Sequence, residues 1–296
     1  MFQGSIVALV TPFHNGKVDE KKLRELVEFQ IKSGTSGIVP CGTTGESPTL
    51  DHKEHQTVVE ICIEAARKRV PIIAGTGSNS TAEAITLTQH AASAGANGAL
   101  VVTPYYNKPT QKGLYLHFKA VAESVDIPIL LYNIEGRTAR NIETETVARL
   151  AGDCPNIIGV KEASGSLEQV KAVRAACGRD FVILSGDDAL TLPIMALGGT
   201  GVISVVANIV PEDVIAMVKA FQRGEKDKAQ RVDARLAPLV KAMFIETNPI
   251  PVKTAMGLLG LCSPELRLPL CEMEEENFSR LKLALQQYGL LKGQPV

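Results

Sequence analysis

Short apolar runs alternate with helical patterns eight times along this chain, and that rhythm restricts the fold more than any other feature. The runs fall at residues 5–10, 37–41, 71–74, 98–102, 128–131, 157–160, 181–184 and 201–205. The helical patterns between them fall at 19–32, 51–68, 81–94, 111–124, 143–150, 167–176, 189–197 and 211–223. β-branched runs without polar alternation suit strands buried on both faces, as in a parallel sheet. Eight strand–helix pairs within about 220 residues predict an α/β fold of the TIM (β/α)8 type. A doubly wound open sheet is the alternative, disfavoured because no Gly-x-Gly-x-x-Gly follows the first strand. After Gly224 no strand pattern returns, and three helical patterns follow at 225–246, 251–259 and 274–288. The expected organisation is a barrel over 1–224 with a C-terminal helical appendage over 225–296, fraying at 293–296. Asp51 with Glu54, and Thr81 with Glu83, stand in capping positions, while Gly34, Gly95 and Gly224 suit helix C-termini.

The charges are balanced, with 31 Lys and Arg against 32 Asp and Glu, a net −1. Nothing in that balance favours nucleic acid or a membrane surface. No apolar stretch approaches the ~18 residues of a membrane span, and the N-terminus lacks a basic segment and a signal-type apolar core. Six scattered cysteines (41, 62, 154, 177, 262 and 271) show no metal-ligand spacing and read as reduced thiols. A cytoplasmic protein is expected.

In parallel barrels chemistry collects where strands end. The sixth run leads directly into Lys161 within Ile157-Ile158-Gly159-Val160-Lys161-Glu162. A free lysine of pKa ~10.4 is only about one part in 2,500 neutral at pH 7. Burial that lowers the pKa to ~7–8, at about 4 kcal/mol, makes the amine common enough to attack a ketone and form a Schiff base. The other reading of the local sequence is a surface lysine capping a strand. Other strand ends supply a phenol at Tyr132, hydroxyls and turn N–H groups at Thr43 and Thr44, and an arginine fork at Arg137. Each alone has a structural explanation; their joint placement at successive strand ends favours a catalytic one. Gly75-Thr76-Gly77-Ser78 lacks the lysine of a phosphate-binding loop. His52 and His55 share a helix face, but no third ligand stands at another strand end. Neither metal nor cofactor is expected, and from the residues alone these histidines read as a solvated helix face.

The strand-end motifs resemble the pyruvate-dependent class I aldolase family, which includes N-acetylneuraminate lyase. The carriers are GTTGES at 42–47, TPYYNKP at 103–109, YN at 132–133, GVKEASG at 159–165, LSGDD at 184–188 and GVIS at 201–204. NPIPVK at 248–253 and Arg137 point to the synthase branch of that family. The resemblance implies that pyruvate condenses with L-aspartate 4-semialdehyde to give 4-hydroxy-tetrahydrodipicolinate. That is the first committed step of lysine biosynthesis through diaminopimelate. It implies an imine at Lys161, proton transfer by Tyr132, and a relay through Thr43 to Tyr106 lent by a neighbouring subunit. Thr44 would hold the pyruvate carboxylate, Arg137 the carboxylate of the semialdehyde, and the backbones of Gly186 and Ile203 would line the site.

The same resemblance implies a homotetramer built as a dimer of dimers. It also implies an inhibitory L-lysine site from Ser47, His52, His55, Asn79, Glu83 and Tyr105. One departure is Glu135, where the family usually has proline; a glutamate is expected to loosen the turn that aims Arg137. Two other readings are a lyase of neuraminate or 2-keto-3-deoxy sugar acids, which Arg137 disfavours, and a non-catalytic pyruvate- or lysine-binding barrel, which the presence of Lys161 and Tyr132 disfavours.

Overall fold

The computed structural model describes residues 2–292; the frayed end expected at 293–296 lies outside them. Eight parallel strands form the barrel: β1 (Gly4–Ala8), β2 (Gly37–Val39), β3 (Ile73–Gly75), β4 (Gly98–Val102), β5 (Ile129–Asn133), β6 (Ile157–Glu162), β7 (Val182–Ser185) and β8 (Gly201–Ser204). Their order around the sheet is β2-β1-β8-β7-β6-β5-β4-β3. A parallel bridge between Ile38 and Ile72 joins the two ends of that series. Each strand overlaps one of the eight apolar runs, with its ends within two residues of the run's, and two of the differences are informative. β2 stops at Val39, because Pro40 has no N–H and Cys41 turns left-handed at φ 53°. β6 runs one residue past Lys161, to Glu162.

Helices cover the outside: α1 (Glu20–Ser33), α2 (His52–Ala66), α3 (Thr81–Ala94), α4 (Gln111–Glu123), α5 (Thr144–Asp153), α6 (Leu167–Cys177), α7 (Thr191–Ala196) and α8 (Pro211–Gln222). Asp51 and Glu54 form the expected capping box at the start of α2. At α3 the cap is Ser80, one residue before the expected Thr81. Thr81 is diverted: its hydroxyl bonds His117 Nδ1 at 2.9 Å. A two-stranded hairpin, Phe13–His14 with Lys17–Val18, was not anticipated. Its signal is Asn15-Gly16, both at positive φ, the sequence that a tight hairpin turn favours.

Three further helices follow: α9 (Lys226–Ala242), α10 (Ile250–Leu258) and α11 (Glu275–Tyr288). α9 packs on α8, and α11 packs on α9 and α10. Tyr288 donates from its hydroxyl to Asp213 of α8 at 2.7 Å. One apolar cluster runs from Val7 in β1 and Leu9 just after it through to Leu236, Val252 and Leu281, so these helices share the barrel's outer core. Inside the barrel, Ile6, Val39, Leu100, Leu130, Leu184 and Ile203 interdigitate. Among the described residues no helix is long and apolar enough to cross a membrane.

Candidate active site

The parallel register of β5 and β6 sets Tyr132 opposite Lys161 and, one step on, Asn133 opposite Glu162. Successive side chains alternate faces, so the first pair points into the barrel and the second toward the helices. Lys161 is 6% exposed and Tyr132 5%, which removes the surface-lysine reading. The Lys161 ammonium nitrogen lies 4.2 Å from the centre of the Tyr132 ring. Gly186 gives the lysine room: a Cβ there would sit 3.0 Å from Lys161 Cε and 2.7 Å from Ala163 Cβ. Ile203, 1% exposed, belongs to the apolar interior with Tyr132 and Leu184.

The second pair is held by a dense polar network. Asn133 Nδ2 donates to both Glu162 carboxylate oxygens at 3.2 Å and to Asn141 Oδ1 at 2.7 Å. Glu162 also accepts from Ser164 N at 2.8 Å and Gln169 Nε2 at 3.1 Å. A carboxylate 2% exposed is thereby satisfied by neutral donors alone.

Beyond β2 the chain folds back in a turn that carries Thr43 and Thr44. Gly45 N donates to Gly42 O at 3.1 Å, and Thr11 donates from its hydroxyl to Gly45 O at 2.6 Å. Thr44 is buried, and its Oγ1 accepts from Asn248 Nδ2 at 3.0 Å. Glu46 follows in a left-handed conformation, φ 52°. Its Oε1 lies 2.6 Å from Lys253 Nζ, and its Oε2 accepts from Arg267 N at 3.2 Å. Burial pulls the Lys253 pKa down while the Glu46 charge opposes that pull. Lys253 and Arg267 also lie over Phe13, 4.2 and 4.3 Å from its ring centre. Lys253 lay within a recognised motif, but nothing local in the sequence assigned it or Asn248 a partner.

Arg137 is exposed and sits on a one-turn helix, Glu135–Thr138. Its Nη2 donates to Asn248 O at 2.9 Å. The turn is closed, not loose as expected from Glu135: Ala139 N donates to Glu135 O at 2.8 Å and Arg137 N to Ile134 O at 3.1 Å. Glutamate is at home in a first helical turn, where backbone N–H groups favour a negative charge. A cavity of about 220 Å3 is lined by Thr43, Ser47, Tyr105, Tyr132 and Arg137 among others. Arg137, the Thr43 hydroxyl and the Tyr132 phenol thus border one small space, while Thr44 and Lys161 are not among its lining residues.

Tyr106 points away from all of this. It is 89% exposed at φ 72°, a conformation that bulky residues seldom adopt. Asn107 Nδ2 donates to Asn79 O at 2.8 Å and fastens this loop to the residue preceding Ser80. His52 Nε2 donates to Glu83 at 2.6 Å, and the Ser78 hydroxyl and then His52 hold Glu83 below the usual carboxylate range. His55 departs from the solvated-face reading. It is 4% exposed, with Nε2 2.8 Å from Gly75 O, because its side of α2 packs on the end of β3. A carbonyl only accepts, so Nε2 carries the proton. Burial lowers the His55 pKa, with the Gly75 bond acting against it. Of the six residues expected to hold lysine, His52 pairs with Glu83, while Ser47 and Tyr105 line the cavity. Among the described residues no group of three or more His, Cys, Asp or Glu side chains is placed to hold a metal ion.

A closed parallel barrel with a buried strand lysine against a tyrosine is suited to imine chemistry on a small keto acid. The model of the dihydrodipicolinate synthetase family matches residues 1–288. The 4-hydroxy-tetrahydrodipicolinate synthase of Syntrophus aciditrophicus is 60% identical over 291 residues, covering 98% of this chain and all of its own. The crystal structure of dihydrodipicolinate synthase from Aquifex aeolicus superposes with a TM-score of 0.97 at 52% identity, covering 99% of this chain and 100% of that one. The synthase of Cyanidioschyzon merolae, solved with lysine bound, gives a TM-score of 0.95 at 43% identity, covering 98% and 99%. The chain belongs to the dihydrodipicolinate synthetase family.

Proposed function

We propose that this enzyme condenses pyruvate with L-aspartate 4-semialdehyde to give 4-hydroxy-tetrahydrodipicolinate, through an imine on Lys161. The observation that carries the reading is the buried pair of Lys161 and Tyr132, 4.2 Å from nitrogen to ring centre, in a chain so similar to named synthases throughout its length. The Lys161 amine adds to the pyruvate ketone, and water leaves as the imine forms. Loss of a methyl proton gives the enamine, whose carbon attacks the aldehyde. The semialdehyde's own amine then displaces Lys161 as the ring closes. Tyr132 passes the protons. A free phenol, of pKa ~10, is a poor lone base at neutral pH, which gives a relay through Thr43 a purpose. Thr44 holds the pyruvate carboxylate and Arg137 that of the semialdehyde. The Gly186 and Ile203 backbones shape the pocket.

Tyr106 completes the relay in a neighbouring copy of the chain; its exposure and positive φ suit a side chain extended toward a partner. The working assembly is a homotetramer, a dimer of dimers, in the cytoplasm. L-Lysine binds through Glu83 and His52, with His55, Asn79, Ser47 and Tyr105 around it. In support, a relative has been solved with lysine bound.

The test is intact mass and peptide mapping after borohydride reduction in the presence of pyruvate. A reduced pyruvate adduct on Lys161 is expected. Its absence from folded protein sinks the reading.

A further inference from the structure

Asn248 has no part in the chemistry above, yet it touches both groups assigned to the two carboxylates. Its side-chain Nδ2 donates to Thr44 Oγ1 at 3.0 Å, and its carbonyl accepts from Arg137 Nη2 at 2.9 Å. The residue is 5% exposed, and its Oδ1 is buried without a hydrogen-bond partner among the described residues. Leaving a buried amide oxygen unbonded costs about 1–3 kcal/mol, so packing alone does not account for an asparagine here. The segment is also fixed from behind. Five residues on, Lys253 is locked to Glu46, two residues beyond Thr44.

We propose that Asn248 is a positioning residue for substrate binding, its side chain orienting the Thr44 hydroxyl and its carbonyl steadying Arg137. The proposal rests on the roles given to Thr44 and Arg137 above. A threonine hydroxyl has one hydrogen and accepts with its lone pairs. Occupying a lone pair from Asn248 turns the hydrogen outward, toward a carboxylate. Arg137 is exposed, and a guanidinium already fixed at one N–H loses less freedom on clamping a carboxylate. The two functions sit on different atoms of one residue, so substitution separates them.

The experiment compares wild type, Asn248→Ala, Asn248→Asp, Thr44→Val and the Thr44→Val/Asn248→Ala double variant. The half-saturating pyruvate concentration for borohydride trapping and the KM for the semialdehyde are measured at a temperature where all are folded. Asn248→Ala is expected to raise the pyruvate value about tenfold, the scale of one lost hydrogen bond. The semialdehyde KM should move less than twofold, since the carbonyl survives. The nearly isosteric Asn248→Asp cannot donate to Thr44 and sets a negative charge beside the pyruvate carboxylate, so its pyruvate value should rise further. The double variant should bind pyruvate no worse than Thr44→Val alone, because Asn248 acts through Thr44. Unchanged pyruvate saturation in both Asn248 variants, or losses that simply add in the double variant, overturns the proposal while wild-type trapping leaves the imine intact. Failure of wild type to trap pyruvate overturns both.

Discussion

Lys253 Nζ lies 2.6 Å from Glu46 Oε1 with both side chains wholly buried, 207 residues apart in the chain. The pair ties α10 to the turn that carries Thr43 and Thr44. Such pairs seldom add net stability over an apolar replacement, since desolvation consumes most of the attraction. Its effect is to fix where that turn stands, and breaking it from one side leaves a bare charge.

Lys253→Met should therefore lower stability by about 3–5 kcal/mol, because the Glu46 carboxylate is stranded. Adding Glu46→Gln should recover part of the loss by removing that charge. Denaturant unfolding of the three proteins decides it; a loss below about 1 kcal/mol in the single variant would contradict the burial.

If Tyr106 serves a neighbour's site, two inactive variants can repair each other. Lys161→Ala and Tyr106→Phe subunits, each poorly active alone, should regain activity when co-expressed. In the mixed dimer one site receives both native residues. Activity of the co-purified hybrid no greater than that of the parents would place Tyr106 outside the reaction.

Glu135→Pro replaces the first residue of the one-turn helix that presents Arg137, a position where proline's φ is already suitable. It also removes a negative charge close to the arginine. The semialdehyde KM should fall severalfold, while the rate of pyruvate trapping stays within twofold. Steady-state kinetics with each substrate varied separates the two, and an unchanged semialdehyde KM counts against this account of the turn.

His117 introduces an acid sensitivity. It is 6% exposed, and burial pushes its pKa from 6.5 down to about 4. A folded-state pKa below the unfolded one means that the unfolded chain binds the extra proton. The stability from this residue is thus complete above pH 6.5 and is lost as the pH falls toward 4. At pH 5 the loss is about 2 kcal/mol. His117→Gln should lack that part of the decline. Unfolding free energies of both proteins at pH 7.5 and pH 5 test it; parallel declines would refute it.

The barrel was legible because eight apolar runs each fill a buried strand, and strand ends could be read directly to Lys161, Tyr132 and Thr44. What escaped depends on contacts across the chain. Asn248 and Lys253 lay in a noted motif, but periodicity cannot pair an amide with Thr44 or a lysine with Glu46 some 200 residues away. His55 looked exposed because helical spacing does not say which flank meets β3. Glu135 was judged by the absence of proline, when the helical turn it begins is closed by its own carbonyl.

The dipeptides Tyr132-Asn133 and Lys161-Glu162 lie side by side in two parallel strands. Sliding β6 by one residue would send the ammonium of Lys161 into the helical layer and the carboxylate of Glu162 into the cavity. Asn133, clasping both oxygens of Glu162, works as a ratchet tooth against that slip. The barrel's outer face thus keeps the reading frame for its inner one: a lysine and a tyrosine meet inside because an asparagine and a glutamate meet outside.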